Sequence, residues 1–264
     1  MGKIIAIANQ KGGVGKTTTA INLGASLAAN DLRILVIDSD PQGNTTTGLG
    51  VAKTAGRLTT YDVLLGDSDV ASAVTSSSLE GLDILPADKN LVGANIELVD
   101  MDRREFRLTD RLHPVRDRYD YILIDCPPAL DLLTLNALVA ADSILVPIQC
   151  EFFALEGVSE LMDTVDRVRD DLGHPLAIEG ILLTMYDERT NLSRQVAADL
   201  REFFKDEVFK TVIPRSIRLA EAPSYGKPIL LYDVRARGAE SYIKLAKEIL
   251  AHDEARRTSA QSAR

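Results

Sequence analysis

Seven short runs rich in Ile, Leu and Val recur along the chain, at 4–8, 33–37, 82–85, 121–124, 143–148, 178–184 and 208–213. Several are apolar at nearly every position rather than at every second one, as strands buried on both faces should be. Between them lie stretches with helical spacing, at 20–29, 129–140, 157–172, 192–204 and 239–250. This alternation predicts an α/β fold, a doubly wound, mainly parallel β-sheet flanked by helices. No repeat or linker interrupts it, so one domain is expected over residues 1–252. Residues 253–264 are small and polar and predict a frayed, disordered tail.

Composition agrees with this picture. A 264-residue chain that is 45% hydrophobic but only 5% aromatic, with no Trp, suits an α/β core of Val, Ile, Leu and Ala. No apolar run approaches the roughly 20 residues needed to span a bilayer. The first residues lead into a strand rather than a secretory leader, so a cytoplasmic location is expected. Cys126 and Cys150 have neither CxxC spacing nor nearby histidines, which leaves no reason for a metal site or a disulfide. With 30 basic and 39 acidic residues the net charge is −9. Bulk charge therefore does not draw the protein to nucleic acid, although a local basic face still could.

The candidate chemistry starts directly behind the first run, at Lys11-Gly12-Gly13-Val14-Gly15-Lys16-Thr17-Thr18. A strand, a glycine-rich loop and then a helix is the context of a phosphate-binding loop. Glycines let the backbone curl until its N–H groups face phosphate oxygens, and the helix N-terminus adds partial positive charge. Lys16 then lies over the β and γ phosphates of a nucleoside triphosphate, and the Thr17 hydroxyl reaches Mg²⁺. Gln10 stands where the common motif has its first glycine, and a second lysine, Lys11, opens the loop, so this is a deviant Walker A motif. Lys11 is too close in sequence to Lys16 for both to cap the same phosphates, and it is expected to point outward toward a second nucleotide.

Acidic residues just after strands are the other candidates, because open α/β sheets bind ligands at the carboxyl ends of their strands. Asp125 ends the run Tyr121-Ile-Leu-Ile and has the form of a Walker B carboxylate on Mg²⁺. The following Cys126-Pro-Pro128 forces a turn, since proline has no donor N–H. Asp38 and Asp40 flank Ser39, and only one of them is expected to face the γ-phosphate. Asp40 is assigned to position or activate the attacking water and Asp38 to the outer shell of Mg²⁺, with the reverse left open. Pro41 to Asn44 would form a loop that senses the γ-phosphate.

Lys11–Thr18, Asp38–Asn44, Asp125–Pro128 and the segment Val212–Pro228 together resemble the ParA/Soj family of chromosome-partition ATPases, within the MinD and ParA group of deviant Walker P-loop proteins. The resemblance covers roughly residues 2–250. It implies ATP and Mg²⁺ as cofactors, Pro214 close to the adenine, and an ATP-bound homodimer in which Lys11 crosses to the partner's phosphates. Trans cations of that kind contribute about 10³ to 10⁵ in rate. It also implies weak intrinsic hydrolysis, non-specific binding of double-stranded DNA by the ATP form, and a ParB-type partner that stimulates hydrolysis and release. Nucleoid association follows.

Arg189, Arg215 and Arg218 match positions at which that family carries basic DNA-contacting residues, and arginine forks suit phosphate oxygens. Other members of the group set the alternatives. A MinD-type positioning ATPase needs a C-terminal amphipathic helix with bulky apolar residues for a membrane, and residues 251–264 have none. A nitrogenase-iron-protein relative would need a cluster cysteine, and a carboxylate-activating synthetase would need a second substrate motif. A ParA-like ATPase that positions a plasmid or a protein cargo is the nearest competitor.

Overall fold

The computed structural model describes residues 1–66, 68–151 and 154–262. Each of the seven runs is a strand: β1 (Lys3–Ile7) and β2 (Ile34–Asp38) are shifted by one residue, β4 (Leu82–Leu85) is unchanged, and β5 (Tyr121–Asp125), β6 (Ser143–Gln149), β7 (Ala177–Tyr186) and β8 (Val208–Pro214) are one to three residues longer. An eighth, β3 (Thr75–Ser76), is only two residues long and carries no periodicity to read. The sheet order is β3-β4-β2-β5-β1-β6-β7-β8. Only β3 runs antiparallel to its neighbour. The expected doubly wound, mainly parallel sheet is therefore present.

Alternate residues of one strand feed two separate cores. Ile4, Ala6 and Ala8 join the helices Leu132–Ala140, Ala154–Asp171 and Asn191–Phe204 on one face. Ile5 and Ile7 join helix α1 (Lys16–Ala28) and the last helix, Arg237–Ser262, on the other. The central strands are buried over their whole lengths, which is why their sequences read as unbroken apolar runs.

The C-terminal expectation needs correction. The last helix does not stop near Leu250 but runs to Ser262, and Asp253, placed in a frayed tail by composition, is buried. Its carboxylate accepts from Lys3 Nζ (2.5 Å) and the Tyr121 hydroxyl (2.6 Å). One turn on, Arg256 lies 3.3 Å from Glu179, which also receives Lys3 Nζ at 2.6 Å and the Ser143 hydroxyl at 2.8 Å. A polar stretch is ordered here because buried charges on the sheet require its partners.

Candidate phosphate and magnesium site

Strand order brings the candidate residues together at the carboxyl ends of β1, β2 and β5. Ile7, after which the glycine-rich loop begins, is the register partner of Asp125, and Asp125 is the register partner of Asp38. The loop between Ala8 and Lys16 turns on Gly13 (φ 74°) and Gly15 (φ 93°), both left-handed conformations that favour glycine. A methyl group built at Gly12 or Gly13 would meet nothing within 4 Å, so that side of the loop is an open cradle. Gly15 is also the N-cap of α1, which directs the first amides of the helix into the cradle.

Lys16 is buried, and its Nζ donates to the carbonyls of Asn9 (3.0 Å) and Lys11 (3.1 Å), spanning the loop. Burial lowers its pKa, and Asp125 is the first of the charges that oppose that shift. Asn9 braces the loop, its side chain donating to the Pro147 carbonyl (2.8 Å) and accepting the Lys11 amide (2.9 Å). The Thr184 hydroxyl, on β7, donates to the Val14 carbonyl at 2.8 Å.

Asp125 accepts on one oxygen from the hydroxyls of Thr17 (2.9 Å) and Thr45 (2.6 Å), while its other oxygen is buried with no hydrogen-bond partner. Burial pushes its carboxyl up to about 7, and the charge of Asp38 adds to the shift. Asp38 is itself pushed up to about 6 by burial, although Thr46 donates to it twice, from its amide (2.8 Å) and hydroxyl (2.6 Å). A buried orphan oxygen beside a threonine hydroxyl is the donor set a hard cation takes, so the residues present fit Mg²⁺. No cluster of three or more His, Cys, Asp or Glu able to hold a metal occurs among the described residues. Phosphate oxygens and water would therefore complete the coordination.

Asp38, the last residue of β2, and Asp40, two residues further on, take different hydrogen-bond partners. Asp38 is fully buried behind the site, with the Asp40 amide (3.2 Å) on its second oxygen. Asp40 is buried as well, though less completely than Asp38, acts on the charge of Lys16, and accepts the Gln42 amide at 2.9 Å. Thr45 and Thr46 were not singled out from sequence. Their sequence mark is a run of hydroxyls, Thr45-Thr46-Thr47, beginning five residues beyond Asp40, which is also what a polar loop looks like.

Lys11 is half-exposed, and within the single chain its ammonium lies 3.5 Å from Glu151 rather than over the loop. Pro214 lines a cavity of about 350 Å³ with Gly15, Thr18, Ile213, Leu219 and Tyr242, directly beside the loop. That wall is mostly apolar and adjoins the first turn of α1, where the Thr19 hydroxyl meets Tyr242 at 3.2 Å.

The three arginines lie at the same end of the sheet but do not form one cluster. Arg189 and Arg215 share a groove with Arg237 and Lys244, whereas Arg218 lies outside it. Arg189 is bidentate on Asp187 (2.9 and 2.7 Å), whose carboxyl it holds down to about 2. Arg218 pairs with Glu221 (3.1 Å) and Asp233 (3.7 Å). Both therefore carry carboxylate partners in this state. No helix among the described residues is long and apolar enough to cross a membrane.

A family model described as an AAA domain matches residues 2–178. The chain is 54% identical over 260 residues to the chromosome partitioning protein ParA of Caulobacter vibrioides, covering 98% of this chain and 97% of that one. It is 56% identical over 252 residues to the sporulation initiation inhibitor protein Soj of Bacillus subtilis, covering 96% and 100%. Among solved structures it is similar to cobyrinic acid a,c-diamide synthase of Mycobacterium smegmatis with bound ADP and magnesium, with 36% identity, a TM-score of 0.84 and 96% of each chain covered. Identity above one half across nearly the whole length, on a sheet that assembles the deviant phosphate loop with its two strand-end carboxylates, places the chain in the ParA/Soj family of chromosome-partition ATPases.

Proposed function

We propose that this chain is a weak, cytoplasmic and nucleoid-associated ATPase that dimerises with ATP, binds double-stranded DNA non-specifically in that state, and is reset by hydrolysis under a ParB-type partner, in chromosome or plasmid segregation. The observation that carries the reading is the division of labour between two lysines of one loop. Lys16 is buried across the loop carbonyls, while Lys11 is half-exposed and its ammonium rests on a surface carboxylate.

In this reading Gly12, Gly13, Val14, Gly15 and Thr18 supply the phosphate cradle, Lys16 holds the β and γ phosphates, and Pro214 borders the adenine. Thr17 and Asp125 would hold Mg²⁺, with Asp38 behind them in the outer shell. When bound, the cation neutralises phosphate charge. Asp40, two residues beyond the end of β2, orients the attacking water and accepts its proton. Lys11 leaves Glu151 for the phosphates of the partner subunit, so chemistry waits for the dimer. An exposed pair at 3.5 Å contributes about 0–1 kcal/mol, little enough for ATP and a partner to displace.

Arg189, Arg215 and Arg218 bind DNA phosphates without reading bases. The test is binding of a random-sequence duplex at low salt with ATP and then ADP, alongside Arg218→Ala. Binding that needs ATP and is lost in the variant supports the reading. No binding in either nucleotide state moves the function to an ATPase that positions a protein cargo.

A further inference from the structure

The segment after Asp40 and the segment that carries Arg218 meet backbone to backbone through two glycines. Beyond Asp40 the chain turns at Gly43 and enters the short helix Asn44–Gly48, clamped from behind by the two Thr46 hydrogen bonds to Asp38. The Asp40 carbonyl accepts the Gly43 amide (2.8 Å), so the start of the helix is tied to Asp40. It leads into Gly50, at φ 78°. On the other side, Arg218 lies in the helix Ile217–Glu221, followed by the turn Ala222–Tyr225, which closes on Gly226 at φ 63°. A methyl at Gly50 would stand 2.8 Å from the Gly226 carbonyl oxygen, and one at Gly226 would stand 2.7 Å from the Gly50 Cα.

Arg218 is bound to that turn. The Glu221 carboxylate accepts from Arg218 (3.1 Å) and from the Tyr232 hydroxyl (3.2 Å), and the Glu221 carbonyl accepts from the Ser224 hydroxyl (2.7 Å). A displacement of the turn moves Glu221 and, with it, the arginine. Two backbones in direct contact leave no flexible side chain to absorb a small shift.

We infer that the Gly50–Gly226 contact is the coupling element through which the nucleotide state at Asp40 sets the position of Arg218, and so the affinity for DNA. This rests on the nucleotide-gated DNA binding proposed above. Coupling free energies are reciprocal, so DNA at Arg218 also changes the affinity for ATP.

The test inserts a Cβ at the contact. Asn tolerates left-handed backbone, so Gly226→Asn and Gly50→Asn add the clash at modest conformational cost. Gly56→Asn is the control, because Gly56 has φ 79° and open space around it. ATP affinity, ATP-dependent dimerisation and binding of a random-sequence duplex with ATP and ADP are measured for each. The contact variants should keep wild-type ATP affinity and dimerisation but lose the preference for ATP over ADP in DNA binding by about 5–150-fold, with Gly56→Asn unchanged. A saturating duplex should alter ATP affinity in the wild type and Gly56→Asn, and not in the contact variants. Folded contact variants that keep the full wild-type preference overturn the coupling. A wild type that binds no duplex with ATP overturns the partition reading itself, and the coupling with it. Should Gly226→Asn not fold, Gly50→Asn decides, since either substitution opens the same contact from its own side.

Discussion

Asp38 and Asp125 are register partners on adjacent strands, and both are fully buried, so two carboxylates lie side by side at one end of the sheet. Lys16 interacts with Asp125, but its amine is committed to the loop carbonyls. Burial therefore opposes the charge of both carboxylates before any cation arrives.

Asp125→Asn should therefore stabilise the metal-free protein, by about 1–3 kcal/mol, while abolishing magnesium-dependent nucleotide binding. Urea unfolding in a chelator, paired with nucleotide titration in magnesium, measures both. A variant less stable than the wild type in chelator would show that the carboxylate pair is not a cost to the fold.

Thr45→Val removes the 2.6 Å hydroxyl donor to Asp125 and keeps the shape. It should destabilise by about 1–3 kcal/mol, because a buried carboxylate loses one of its two donors. Thermal unfolding checks the cost, and Thr45→Ser should restore most of it.

The two lysines should separate cleanly. Lys16→Ala should lose nucleotide binding, whereas Lys11→Ala should bind ATP as the wild type does, remain monomeric and hydrolyse about 10³-fold or more slowly than the dimer. Sedimentation with ATP gives the oligomer, and single-turnover kinetics the rate. Duplex binding by a strictly monomeric Lys11→Ala protein would break the proposed order of events.

Three arginines per subunit set about six phosphate contacts per dimer and a log–log salt slope near −5, which Arg218→Ala should reduce to about −3.5. Salt titration of duplex binding reads the slope directly. An unchanged slope removes Arg218 from the DNA face and leaves it as the partner of Glu221 and Asp233.

Truncation after residue 252 should destabilise the protein by about 3–5 kcal/mol, since it strips Asp253 from Lys3 and Tyr121 and Arg256 from Glu179. Denaturant unfolding of the truncated chain tests this. Stability within about 0.5 kcal/mol of the full chain would mean that these ion pairs add nothing to the fold.

The central strands were legible because β2 and β5 are buried on both faces and must be apolar throughout, and even β8, with Lys210 exposed, keeps apolar residues at most positions. Apart from β4, the segment between Asn44 and Arg118 was not, because it folds as turns and short elements of two to six residues. Such pieces are held by individual contacts, such as Asn95 to Asp131 (2.6 Å), rather than by any repeating pattern. The C-terminal helix was underestimated for a related reason. Its polar residues have partners on β1, β5 and β7, which no local reading of residues 253–264 can see.

By itself the sequence determined the alternating α/β plan, the phosphate loop and the strand-end position of Asp125, since each rests on local chain chemistry: burial on two faces, glycine backbone freedom and the turn that proline imposes. Only the tertiary structure decided that Thr46 holds Asp38, that Thr45 serves Asp125, that Lys11 rests on Glu151, and that Gly50 meets Gly226. Those relationships join residues that are up to 176 positions apart, and distance along the chain carries no record of proximity in space until the sheet order closes it.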